Sequence, residues 1–254
     1  MNAKRSQQAK IRQWGRETVM LETRQTFHEE LAALDQQILH MGRLTGGMVS
    51  DAVASMQEGD VLLAEMVIGQ DDVVDAIDID IETRCMRLLA LQQPMARDLR
   101  QIGTALKVIT DLERIGDHAV DIAKISRKLG TQFFLRKPLV DLGPLAAMAQ
   151  AMLSQSMEAL IRHDDALAAQ ICADDDQVDA AYKRLREELF AISQREPERT
   201  APSSYMLLAI TYLERIADHA TNIAERVHYV ETGLREPLAR DLHREVLDRP
   251  TLGA

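Results

Sequence analysis

Residues 112–119 read LERIGDHA, and residues 213–220 read LERIADHA. The two stretches share seven identities in eight at an offset of 101, and Ile122-Ala123 and Ile223-Ala224 extend the match at the same offset. Farther upstream, QDDVVDA at residues 70–76 is echoed by DDDQVDA at residues 174–180. Two matches in the same order indicate that one structural unit has been duplicated in this chain.

The residues around both matches have the periodicity of helices. Between Leu63 and Leu91, apolar residues recur at spacings of three and four, as they do on the buried face of a helix. No proline precedes Pro94, and the later prolines mark predicted helix boundaries or loops. Helices are predicted at about residues 27–57, 63–91, 95–129, 144–163, 165–194 and 203–231.

We therefore predict an all-α fold of two tandem, pseudo-symmetric three-helix bundles, placed at residues 27–136 and 137–232. An N-terminal extension, residues 1–26, and a C-terminal tail, residues 233–254, flank them. Residues 1–25 contain six Lys or Arg and two Glu, a local net charge of +4. This extension is either a poorly ordered terminus or an arm that contacts an anionic membrane or an acidic partner.

The composition narrows the classes of function. Hydrophobic residues make up 46% and charged residues 28% of the chain, as in a folded soluble protein, and the low aromatic content of 4% favours helices packed through aliphatic side chains. The net charge of −10 argues against nucleic acid as the main partner, because phosphate binding needs a basic surface. An acidic protein is suited to binding cations.

Cys85 and Cys172 belong to no CxxC pair, so the sequence indicates neither a disulfide framework nor a thiolate zinc site. The N-terminus has no apolar signal-peptide region, and no stretch of about 18 apolar residues could span a membrane. We expect a cytoplasmic, soluble protein that reaches the membrane only through partners.

Each copy of the repeat carries two pairs of carboxylates, spaced i and i+4, on the shoulder of a buried helical face. If the second and third helices of each bundle are neighbours, the two shoulders can face one another. Clustered carboxylates repel each other, and oxygen-rich clusters bind hard or borderline cations. The predicted metal ligands are Asp71, Asp75, Glu113, Asp117, Asp175, Asp179, Glu214 and Asp218.

The same residues have a second interpretation, as solvated acidic faces neutralised by Arg114, Arg215 and their neighbours. His118 and His219 lie on the opposite side of the wheel from the carboxylates, so we expect them at the surface or at an interface, with an outer-shell role still open. No Ser/His/Asp set, phosphate-binding glycine loop or HExxH motif is present in the sequence, so no catalytic residue is predicted.

Three motifs point to a known family. LLALQQP at residues 88–94 is followed by Asp98-Leu99-Arg100 and then by DLERIGDHA at residues 111–119. Over about residues 27–232, the chain closely resembles the PhoU family of phosphate-transport accessory proteins, and the duplicated motif makes the resemblance specific. The basic extension and the tail lie outside it.

The resemblance implies a cytoplasmic and often dimeric regulator, here a homodimer. Such a protein couples the ATPase of the phosphate-specific ABC transporter to a sensor histidine kinase. It represses phosphate uptake and the phosphate-starvation response when phosphate is plentiful. The resemblance also implies that the eight carboxylates bind multinuclear metal clusters. The identity of the metal stays open among iron, Mn, Mg, Ca and Zn.

The two copies differ beside the acidic pairs. The first has Asp78, Glu82 and Asp121, and the second has Tyr182, Arg186 and Asn222 at the matching positions. The two sites are therefore expected to differ in metal number or affinity. Two other classes of function stay open: a carboxylate-bridged metal-dependent enzyme, and a helical adaptor that needs no metal.

Overall fold

The computed structural model describes the backbone of residues 2–92, 94–133 and 138–234, and side chains from Gln25 onward except that of Gln92. This part of the chain is helical and contains no strand. The helices are α1 (Asn2–Glu58), α2 (Val61–Ile68), α3 (Asp71–Gln92), α4 (Ala96–Gln132), α5 (Gly143–Arg162), α6 (Asp165–Arg195) and α7 (Thr200–Thr232), with a 3₁₀ turn at Pro197–Arg199 before α7.

The helices form the two predicted three-helix bundles. In the first, α4 packs against α1, α2 and α3, and α2 and α3 together fill the place of a single long helix. In the second, α7 packs against α5 and α6. The bundles join mainly along α4 and α7, which run antiparallel: Arg97 pairs with Glu231 near one end, and Lys128 lies over the Tyr205 ring near the other. We call this α4–α7 contact the seam.

Matching turns start the second helical segment of each bundle. Gly59 has a φ of 68°, and the Asp60 side chain accepts hydrogen bonds from the backbone N–H groups of Leu62 and Leu63. In the second copy His163 has a φ of 54°, and Asp164 accepts from the N–H of Leu167. Both aspartates are N-caps, which satisfy donors that a helix start leaves unpaired.

The structure differs from the sequence prediction at two places. The predicted helix at 63–91 is interrupted at Gly69 and Gln70, where glycine, a weak helix former, ends α2. The backbone of residues 2–24 forms the first part of α1, where the sequence allowed either a poorly ordered terminus or an arm; this segment has no proline and is rich in Gln, Lys and Arg. Residues 136/137, the predicted boundary between bundles, and residues 235–254 of the tail lie outside the described residues.

The repeated motif supplies the buried faces of the two central helices. Leu112, Ile115 and Ala119 are fully buried on α4, as are their counterparts in the second copy, Leu213, Ile216 and Ala220. Full burial of one such leucine or isoleucine stabilises the fold by about 1.5–3 kcal/mol. None of the helices in the described residues combines the length and apolar character that crossing a lipid bilayer requires.

Gly116 offers a test of this packing. A β-carbon added there would lie 3.4 Å from Val74 Cγ1 and 3.6 Å from Thr45 Cγ2, which are ordinary contacts, and the second copy has Ala217 at this position. Because alanine favours a helix over glycine by up to about 1 kcal/mol, we expect Gly116→Ala to raise the free energy of unfolding by about 0.5–1 kcal/mol. Urea unfolding measures it.

Gly130→Ala is the matched control, because its β-carbon would lie only 3.0 Å from Val61 Cγ2. We expect a smaller gain or a loss there. If Gly116→Ala also lowered stability, the α3–α4 contact would have to be tighter than the structure shows.

Candidate metal centres: two acidic clusters

The structure brings the four predicted ligands of the first bundle together between α3 and α4. Burial raises the pKa of Asp71, and the charges of Asp117 on α4 and Asp75 on α3 add to the increase. Burial likewise raises the pKa of Glu113, with Asp117 and then Asp75 as further causes. The acidic shoulders of the two helices therefore face each other. We call these four residues the first cluster.

The second bundle repeats the arrangement between α6 and α7. Burial raises the pKa of Glu214, and the charges of Asp179 and Asp175 on α6 contribute. Burial also raises the pKa of Asp218 to about 6, with Glu214 and Asp179 as further causes. Asp175, Asp179, Glu214 and Asp218 form the second cluster.

Basic side chains already contact both clusters. Arg114 donates to Asp117 at 2.9 Å and lies 3.5 Å from Glu113, and Lys183 lies 3.2 Å from Asp179. In the described residues, no three acidic, histidine or cysteine side chains are already arranged to hold one metal ion. The donors are all carboxylate oxygens, which suit hard cations, but ligation needs side-chain rotations that release these basic groups.

The two clusters differ in their surroundings, as the sequence predicts. Burial raises the pKa of Asp78 beside the first cluster, with Glu82 and Asp75 as further causes. The second copy replaces this acid-rich strip with an aromatic and basic pair, in which the Arg186 guanidinium lies 5.6 Å from the centre of the Tyr182 ring. The residues beside the first cluster are therefore more negative than those beside the second.

His118 and His219 meet at the seam, which confirms the expected interface position. Their ring centroids are 5.6 Å apart, and His118 also stacks on Tyr212 at 5.3 Å. Burial, together with the charges of the neighbouring His219 and Arg215, lowers the pKa of His118 to about 4. His118 is therefore neutral at neutral pH, and its ring serves the contact between bundles.

Sequence reasoning missed Asp111, Tyr212 and Asn222 at this seam. Asp111 accepts hydrogen bonds from His219 and from Asn222, and Tyr212 lies near Asp121. Asp111 and Tyr212 occupy equivalent positions at the offset of 101. The available signal in the sequence was that this position carries an aspartate in the first copy of the repeat and a tyrosine in the second.

The raised pKa of Asp218 predicts how the stability of the metal-free protein depends on pH. Between about pH 4 and pH 6 the folded protein holds a proton at Asp218 that the unfolded chain has lost, so the free energy of unfolding falls as pH rises through this window. The Asp218 residue is only partly shielded from water, so solvent weakens the effect, and the prediction concerns its direction.

The measurement is urea unfolding of chelator-treated protein at several pH values, with Asp218→Asn as the control. Asparagine does not titrate, so the variant should lose part of the decline between about pH 4 and pH 6. Identical pH profiles for the two proteins would contradict the prediction.

Comparison with known proteins matches both bundles. The family model described as PhoU domain matches residues 38–126 and again residues 142–227. The phosphate-specific transport system accessory protein PhoU homolog of Clostridium acetobutylicum is 35% identical over 212 residues, covering 83% of this chain and 96% of that protein. The protein of the same description from Rhizobium meliloti is 34% identical over 207 residues, covering 82% of this chain and 87% of that protein.

Solved structures agree. The crystal structure of PhoU from Pseudomonas aeruginosa matches with a TM-score of 0.78 at 34% identity, covering 82% of this chain and 100% of that one. The phosphate transport system regulatory protein PhoU from Streptococcus pneumoniae matches with a TM-score of 0.77 at 32% identity, covering 83% and 99%. The similarity therefore spans the whole fold of these proteins.

Proposed function

Because this chain belongs to the PhoU family, we propose that it is a cytoplasmic regulator of phosphate homeostasis. It couples the ATPase of the phosphate-specific ABC transporter to a sensor histidine kinase, and it represses phosphate uptake and the starvation response when phosphate is plentiful. The observation that carries the proposal is similarity along nearly the full length of relatives named as accessory or regulatory proteins of phosphate transport.

We propose that this role is one of binding and involves no catalytic step. The relatives are named as accessory and regulatory proteins, and the histidine and the carboxylates discussed above have packing or ion-binding roles that need no catalysis. His118 packs between Tyr212 and His219 at the seam, and the eight carboxylates with the predicted ligand role form the two clusters. The broad helical surface is available to partners and to a second copy in a homodimer.

We further propose that the two clusters hold multinuclear metal ions. Three features support this: carboxylates from two helices converge in each bundle, burial and mutual repulsion disfavour their charged forms, and the arrangement occurs twice. Bound cations would supply the missing positive charge and tie neighbouring helices together. Oxygen-only donors suit iron, Mn, Mg or Ca better than Zn, which favours nitrogen and sulfur.

A metal-free adaptor with the same partners is the second candidate. The contacts of Arg114 with Glu113 and Asp117 favour it, because an arginine offsets part of the negative charge of the first cluster without any ion. Elemental analysis of protein purified without added metal separates the two candidates.

Affinity capture from membranes tests the regulatory proposal directly. From cells grown with ample phosphate, the tagged protein is expected to retain the transporter ATPase and the sensor kinase. A stable complex of this kind buries about 1,600 Å² of surface and should survive purification. Quantitative mass spectrometry measures recovery, and an unrelated acidic helical protein with the same tag is the control. Recovery no greater than that of the control would contradict the proposal.

A further inference from the structure

Asp111 makes its side-chain contacts across the seam. It lies on α4 of the first bundle with 14% of its side chain exposed, and its Oδ1 accepts from two residues of α7. The distances are 2.9 Å to Nδ1 of His219 and 3.2 Å to Nδ2 of Asn222. A nearly buried carboxylate of one bundle is thus held by side chains of the other.

The chemistry of this contact fixes the orientation of the histidine. A carboxylate can only accept hydrogen bonds, so Nδ1 of His219 must carry the hydrogen and donate it. This selects one tautomer and one orientation of the ring. His219 directly follows Asp218 along α7, and Asn222 lies one turn farther along, so Asp111 holds the turn of α7 that comes directly after Asp218.

The first cluster has a different support at the equivalent place. There Tyr212 of α7 stacks on His118, the residue after Asp117, and lies near Asp121. The side chain that packs across the seam is therefore an aromatic ring near the first cluster and a carboxylate near the second, although the motifs around the two clusters are nearly identical.

We propose that Asp111 is a positioning residue for the second cluster, supplied across the seam by the first bundle. The second cluster then depends on both bundles, although its four carboxylates all come from one. This rests on the proposed metal role of the clusters. Groups hydrogen-bonded directly to a metal ligand typically contribute 10- to 100-fold to metal affinity. Asp111 acts one residue farther away, through His219 beside Asp218, so the low end of this range, about tenfold, is expected.

The test compares Asp111 variants in two backgrounds that each retain one cluster. Glu113 and Asp117 are replaced by alanine in the first, leaving the second cluster, and Glu214 and Asp218 in the other. Asp111→Ala and Asp111→Asn are added to each background, which is titrated with Mn²⁺ and separately with Fe²⁺. Asp111→Ala should weaken binding at the second cluster about tenfold or more and leave the first unchanged. Asp111→Asn, which keeps an acceptor, should recover much of the loss.

Asp121→Ala is the control, because Asp121 is also an α4 carboxylate at the seam but contacts Tyr212 near the first cluster. It should leave the second cluster unchanged. The ¹⁵N shifts of His219 supply a metal-free readout: Asp111→Ala should reduce the Nδ1–H tautomer.

The outcomes separate the positioning role from the metal role. Binding at the second cluster that ignores Asp111→Ala, or weakening confined to the first cluster, overturns the positioning role alone. A protein that binds neither metal in either background overturns the metal role and the positioning role together.

Discussion

A variant with Glu113, Asp117, Glu214 and Asp218 all replaced by alanine is expected to lose most of its bound metal. These residues supply the α4 half of the first cluster and the α7 half of the second, so the remaining aspartates in each cluster come from one helix and cannot bridge two. Carboxylate-held ions need several oxygen donors, and half a cluster supplies too few. Elemental analysis of protein purified from metal-replete medium gives the stoichiometry.

In the absence of metal, the same four substitutions should stabilise the protein. Burial and mutual repulsion raise the pKa values of Glu113, Glu214 and Asp218, so removing their charges should make the metal-free variant more stable than metal-free wild type. Chelation should lower the thermal midpoint of the wild type, because an ion that binds only the folded state stabilises it. Chelation should leave the thermal midpoint of the variant unchanged.

The matched control removes four exposed acidic residues outside the clusters: Glu29, Glu58, Glu187 and Glu198. It makes the same change in net charge, so it should keep the metal content of the wild type. Unchanged stoichiometry in the cluster variant would contradict the metal proposal and favour the metal-free adaptor, in which Arg114 offsets part of the charge of the first cluster.

Local signals were enough to predict the fold. Helical periodicity runs almost from one boundary to the next, and prolines lie close to several of the boundaries. The repeat then divides the helices into two sets of three. The interruption at Gly69 was harder to predict, because a single glycine inside a periodic run can be tolerated in a helix or can end it, and packing against α4 decides which.

The candidate site was only partly predictable. Spacing along a helix placed Glu113 beside Asp117, and the repeat placed Glu214 beside Asp218 in the same way. The approach of Asp71 to Asp117 followed once the two helices were taken as neighbours.

Local sequence patterns could not predict the contacts at the seam. Asp111 and His219 are 108 residues apart, and their hydrogen bond depends on how two bundles pack, which periodicity within one helix does not encode. The sequence showed only that position 111 and its counterpart, Tyr212, differ in chemistry.

Deletion of the gene is expected to leave the phosphate-starvation response switched on in phosphate-rich medium, at the level of a starved wild-type strain. In the proposed complex this protein holds the transporter ATPase and the kinase together in an inhibitory state, so without it the signal of sufficient phosphate does not reach the kinase. Phosphate uptake should rise for the same reason. A reporter fused to a starvation-induced promoter and the uptake of labelled phosphate measure the two effects.

Complementation shows what the regulator needs. The wild-type gene should restore repression, and so should the variant that lacks four exposed acids outside the clusters. If the metal ions are part of the regulatory surface, the cluster variant should fail to restore it although its metal-free fold is stable. Repression restored by a cluster variant shown to lack metal would favour an adaptor acting through its helical surface. A deletion strain with normal repression and normal uptake would contradict the regulatory proposal, and a metal-dependent enzyme would become the leading hypothesis.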